Sequence, residues 1–124
     1  PFGLGAIGIF YNVQGVSLSM DACLLAKIFM GIVTTWDDAA IKAQNPSAAL
    51  PAGAPILVGH RTLGSSSTGG LSGYLNKKCP SVWTLGESGS ITWPATSKFT
   101  AVLGSPGMQS FIETTPNSIG YLDA

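Results

Sequence analysis

Ile56–Gly70 reads ILVGHRTLGSSSTGG. Ile56, Leu57 and Val58 form a short, continuously apolar run, which predicts a buried strand. The polar stretch from Arg61 to Gly70 follows, and Leu71–Leu75 continues as a helix toward Cys79-Pro80. A strand thus feeds a hydroxyl-rich turn and then a helix start. The free N–H groups of such a start point at one spot, and the helix dipole favours negative charge there. Ser65, Ser66 and Ser67 add hydroxyls. Arg61 adds a planar, permanently charged fork that matches two oxyanion oxygens. Together these residues describe an anion site for phosphate, sulfate or a carboxylate. The plainer alternative is that Ser65 caps the helix, the other hydroxyls face water, and Arg61 makes a surface ion pair. Neither reading is a Walker loop, because no Lys follows the glycines.

Working outward toward the N-terminus, Gly5–Val13 (GAIGIFYNV) is rich in Ile, Phe, Tyr and Val and predicts a buried strand, with Asn12 and Gly15 marking a turn. Asp21 precedes Leu24, Leu25, Ile28 and Phe29 at helical spacing, an N-cap with Gly31 as the stop. Asp37–Ala43 predicts a short second helix ending before Asn45-Pro46. Toward the C-terminus, the expected elements are a loop at Glu87–Ser90, a strand at Ile91–Trp93, a helix at Pro106–Glu113, a turn at Pro116-Asn117 and a strand at Ser118–Leu122. Strands alternating with helices imply an α/β architecture with a largely parallel sheet, in which ligands sit beyond the carboxyl ends of strands. The Arg61–Ser67 loop lies in that location.

The 124 residues fit one domain, 1–124, with enough surface to bury a core. Six Lys/Arg balance six Asp/Glu, so there is no basic footprint and nucleic acid is not an expected partner. With 45% hydrophobic and only 10% charged residues the chain is not of disordered type. Its most apolar stretch, Ala22–Val33, is interrupted by Lys27 and Gly31 and falls short of the roughly 20 residues a membrane span needs. The chain opens on Pro1 without a charged leader, so a mature product or excised domain is expected, with any targeting segment removed or outside it.

Other chemistries are less well supported. His60 is the only histidine. The nucleophile pattern G-x-S-x-G fails at its last position, which Thr68 occupies, and no acid stands behind His60. His60 therefore reads as a strand-end residue packing its ring, and no catalysis is expected. One His and two Cys lack the ligand spacing of a zinc site. No metal or cofactor is expected. Asp37-Asp38 is better explained as helix capping than as a metal pair. Trp36, Trp83 and Trp93 form no stripe and read as packing residues rather than a stacking platform. Cys23 and Cys79 are a candidate disulfide, the even count suiting an oxidising compartment, against the alternative of two buried thiols.

The order of motifs resembles one lobe, the second, of the PstS-like phosphate-binding proteins of bacterial phosphate ABC transporters, a family of periplasmic binding proteins. The stretches that carry the resemblance are Ile9–Val13 with Gly15-Val16, Leu18–Asp21 with Leu25–Gly31, and Thr34–Ile41 with Asn45-Pro46. They continue with His60-Arg61, Gly64-Ser65, Tyr74-Leu75, Trp83, Trp93-Pro94 and Pro116–Tyr121. The resemblance implies a single lobe with a mixed, mostly parallel sheet flanked by helices. It also implies non-catalytic binding of phosphate or a sulfate-like anion, a second lobe or other domains in a larger parent, and a secreted, periplasmic or cell-surface location. The family's second-lobe site is an Arg followed by Asp-Gly-Ser-Gly-Thr. Arg61, Gly64 and Ser65 match it, Ser67 stands in conservatively for the Thr, Ser66 replaces a Gly, and Leu63 replaces the Asp. Loss of that carboxylate implies weaker discrimination against sulfate. With one wall only, affinity near millimolar, about −4 kcal/mol, is expected. The rival expectation is a reused lobe, serving as an interaction or structural module with a degraded anion site.

Overall fold

The computed structural model describes residues 2–4, 7–62 and 64–123. The elements run β1 (Phe2–Leu4), β2 (Ile7–Tyr11), α1 (Ala22–Phe29), α2 (Ala39–Gln44), β3 (Leu57–Arg61), α3 (Ser66–Lys78), β4 (Phe99–Val102), α4 (Gly104–Thr114) and β5 (Ser118–Asp123). The local chemistry explains the boundaries. Asp21 accepts a hydrogen bond from the Leu24 amide at 2.8 Å and starts α1. Gly31, at φ 74°, ends α1. There the Ile32 amide reaches back to the Lys27 carbonyl at 2.8 Å and the Gly31 amide to Ile28 at 3.1 Å, a Schellman closure. Asp38 caps α2 through the Ala40 amide at 2.8 Å, while Asp37 accepts from the Gly53 amide at 2.9 Å. The paired carboxylates are thus spent on backbone N–H groups.

The strands form one sheet in the order β1-β2-β5-β3-β4. β3 is parallel to both β4 and β5, whereas β2 is antiparallel to both β1 and β5. Four of the five strands therefore share one direction and β2 alone opposes them. The sheet is mixed, mostly parallel, and flanked by helices on both faces. Side chains alternate across it. On β5, Gly120 approaches Met108 and Ile112 of α4, while the next residue, Tyr121, meets Thr68 of α3 and Phe29 of α1. So α1 and α3 cover one face and α4 the other. Gly59 and Gly120 let α4 lie close, since a Cβ on either would fall within 2.7 Å of a Phe111 ring carbon or 2.5 Å of Met108 Sδ, respectively.

The largest buried side chains, among them Trp36, Trp83, Phe29 and Tyr121, fill the core. Trp36 donates to the Asn117 carbonyl at 2.9 Å and Trp83 to the Gly86 carbonyl at 2.8 Å. The three tryptophans pack, as expected, and two of them satisfy their N–H on the backbone.

Cys23, in the first turn of α1, is bonded to Cys79, the C-cap of α3, with Cα atoms 5.2 Å apart. Several sequence expectations need correction. Ile91–Trp93 is not a strand but irregular chain. The strand lies instead at Phe99–Val102, an edge where only Val102 is buried, so its sequence carries little apolar signal. The strand expected at Ile56–Val58 extends to Arg61, and β1 was not anticipated. Of the strand expected at Gly5–Val13, Ile7–Tyr11 is β2, and Gly5 and Ala6 lie outside the described residues.

Candidate functional site

Arg61 is the last residue of β3 and Ser66 the first of α3, at the carboxyl edge of the sheet. Ser65 is the N-cap between them. Its Oγ accepts from the Thr68 amide at 3.0 Å, and its own amide donates to the Gly89 carbonyl at 2.8 Å. Ser65 Oγ also donates to Thr68 Oγ1 at 3.0 Å, which lies 2.7 Å from the Tyr121 hydroxyl. That hydroxyl in turn accepts from the Arg61 amide at 3.0 Å. The end of β3, the start of α3 and the end of β5 are thereby tied through one phenol. Burial pushes the Tyr121 hydroxyl above its ordinary value of 10.0, so it stays neutral and keeps its proton.

The structure brings all four candidate binding residues to this edge, in different states. Arg61 is half-buried as a residue, and its Nη1 donates to Ser105 Oγ, in the first turn of α4, at 3.4 Å on the exposed side. Ser66 is exposed. The first-turn amides of Ser66 and Ser67 have no partner within an α-helix. Ser67 is 1% exposed, and its hydroxyl donates to Asp123 Oδ1 at 2.6 Å. Leu63 lies outside the described residues. Sequence reading missed Ser105 and Asp123. They are 44 and 56 residues from their partners, and only the parallel β3–β5 and β3–β4 pairings bring them in.

His60 points to the opposite face from Arg61. Its ring stacks on Trp93 at 5.2 Å and 24°, and its Nδ1 is buried without a partner. Burial holds the imidazole below its ordinary value of 6.5. A hollow of about 410 Å³ lies beside it, lined in part by Arg61, Thr62, Trp93 and Thr96. A second, of about 440 Å³, runs between Gly15–Ser17 and Asn45–Ala49, has no charged lining residue and is remote from the Arg61 edge. Among the described residues no group of His, Cys, Asp and Glu is placed to hold a metal ion. No helix among them is long and apolar enough to cross a membrane.

A family model described as a PBP superfamily domain matches residues 1–124. The chain belongs to that superfamily. It is a family of non-catalytic binding proteins. Among curated relatives, the chain is 35% identical over 114 residues to the phosphate-binding protein PstS of Xylella fastidiosa, covering 90% of this chain and 30% of that protein. It is 34% identical over 122 residues to the phosphate-binding protein PstS 2 of Mycobacterium tuberculosis, covering 98% and 32%. The chain thus spans about a third of the length of these relatives. Among solved structures, a phosphate-binding protein from Stenotrophomonas maltophilia superposes with a TM-score of 0.73 at 18% identity, over 96% of this chain and 35% of that one. A high-affinity periplasmic phosphate-binding protein solved with phosphate gives 0.75 at 24% identity, over 94% and 31%. These likenesses bear on the fold: this PBP superfamily chain has the architecture of one part of each.

Proposed function

We propose that this chain is the second lobe of a PstS-like binding protein and binds phosphate or a similar oxyanion without transforming it. The observation that carries the reading is the position of Arg61, at the carboxyl end of β3 and four residues ahead of Ser65, the N-cap of α3, in a PBP superfamily domain. Arg61 supplies the charged fork, the amides of Ser66 and Ser67 supply aligned donors, and the Ser66 hydroxyl is free to turn toward a ligand. Ser65 holds the loop in shape through its cap. Ser67 contributes its amide, since its hydroxyl proton is held by Asp123. In a larger parent protein a further lobe closes the other side of the ligand. The Cys23–Cys79 bond suits a secreted or periplasmic location.

Titration with phosphate and with sulfate, followed by amide shifts, tests this. The expected result is saturable movement of the Ser66 and Ser67 amides with Kd of about 1 mM, lost in Arg61→Ala. No movement with either anion at about 50 mM, well above that Kd, overturns it. That silence would favour the second reading, a reused lobe with a degraded anion site, which the engagement of the Ser67 hydroxyl by Asp123 already supports.

A further inference from the structure

β5 reaches the first turn of α3 twice from the same face: Tyr121 meets Thr68, and two residues on Asp123 meets Ser67. Asp123 is exposed, and its carboxylate takes the one proton the buried Ser67 hydroxyl has to give. Ser67 is the second residue of α3. A side-chain carboxylate therefore already stands at the positive end of that helix, where negative charge is favoured. An oxyanion bound to the Ser67 amide would lie no more than about 8 Å from it, allowing for the Ser67–Asp123 contact, the width of one serine and one N–H···O bond.

We propose that Asp123 is an internal counter-anion at the α3 N-terminus, holding the Ser67 hydroxyl and repelling an incoming oxyanion, so that it limits affinity and penalises a dianion more than a monoanion. The proposal rests on the anion-binding reading above and names what tunes that site. Two like charges at such a separation near a protein surface repel by enough to change affinity about tenfold after screening. The repulsion scales with ligand charge, so sulfate, a dianion, feels it fully. The residue acts through charge rather than through a contact with the ligand. Its removal should therefore help a ligand that the remaining donors already hold.

The test uses Asp123→Asn and Asp123→Glu with sulfate, titrated by calorimetry at low ionic strength. Asn removes the charge, while its carboxamide oxygen still accepts from Ser67. Glu keeps the charge. The expected result is about tenfold tighter sulfate binding in Asp123→Asn, shrinking as KCl is added, and no tightening in Asp123→Glu. Unchanged or weaker sulfate binding in Asp123→Asn overturns the proposal, and so does equal tightening in Asp123→Glu. Phosphate titration of the unmodified chain, beside Arg61→Ala, separates the two levels. Arg61-dependent phosphate binding with no sulfate gain in Asp123→Asn sinks the counter-anion alone. Silence of every variant toward both anions sinks the anion-binding reading, and this inference with it.

Discussion

His60 contributes to the acid side of this protein's stability. Its Nδ1 is buried without a partner and its ring lies flat against Trp93, so protonating it carries a desolvation cost that outweighs the support of the Arg61 backbone. Burial therefore holds its pKa below 6.5 in the folded chain. As pH falls below 6.5, the unfolded chain takes up the proton first and unfolding is favoured. The stability is fully present above 6.5 and declines on acidification through the lowered folded value. Thermal melts between about pH 7 and 5 should show that decline in the native chain and a flatter profile in His60→Phe. Asp37 acts lower on the scale. The Gly53 N–H holds its carboxyl below 3.8, so its share is lost only as pH falls through that lowered value. That His60 packs its ring was legible from its place at a strand end. That Trp93 is its partner was not, because the two meet only through the fold. A glycine tells the same story. Gly120 gives no sequence signal beyond its own identity, yet a Cβ there would fall 2.5 Å from Met108 Sδ and 3.1 Å from Ile112 Cδ1. Gly120→Ala should cost about 1–3 kcal/mol in a denaturant titration, since the buried Met108 and Ile112 side chains would have to repack.

The junction of β3, α3 and β5 depends on Tyr121. Its hydroxyl accepts from the Arg61 amide in a part-buried contact and bonds Thr68 Oγ1 in a buried one. Tyr121→Phe keeps the ring in its contacts with Phe29 and Trp93 and removes only that oxygen. The Arg61 N–H is then left without its acceptor, at about 1–3 kcal/mol. Urea titration should show that loss, and amide exchange at the start of α3 should quicken. An unchanged midpoint would mean that water replaces the oxygen. The sequence showed much of this junction. Apolar residues followed by glycine and serine marked a strand turning into a helix, and Ser65 marked the cap. The sequence did not show which distant strand closes the junction, because register is a property of pairing rather than of either segment. The same limit explains β4. Ile91–Trp93 has β-favouring residue types but serves as an irregular segment whose Trp93 ring packs under His60. Phe99–Val102, with Thr100 and Ala101 exposed, pairs with β3 at the edge. Edge strands are paired on one side only, so they need less apolar sequence than central ones.

At the scale of the whole molecule, the Cys23–Cys79 bond and the candidate anion site lie at opposite ends of one helix. Cys79 is the C-cap of α3 and Ser65 its N-cap, and the 13 residues between them rise about 20 Å. The bond joins the two helices that cover one face of the sheet and closes a loop over a sequence separation of 56. Loop closure of that size constrains the unfolded chain by about 4 kcal/mol, a large part of the 5–15 kcal/mol that holds a domain of this kind folded. The cysteine positions were legible, and their pairing was an open alternative until α1 and α3 were seen side by side. Because the bond acts mainly on the unfolded state, removing it should leave the folded site as it is. The double variant Cys23→Ser/Cys79→Ser should lose at least about 1 M in urea midpoint. Well below that midpoint it should bind phosphate at Arg61 with the affinity of the oxidised chain. A matched loss of stability and affinity would mean instead that the bond positions α3 in the native state, so that the site at its far end depends on the covalent tie.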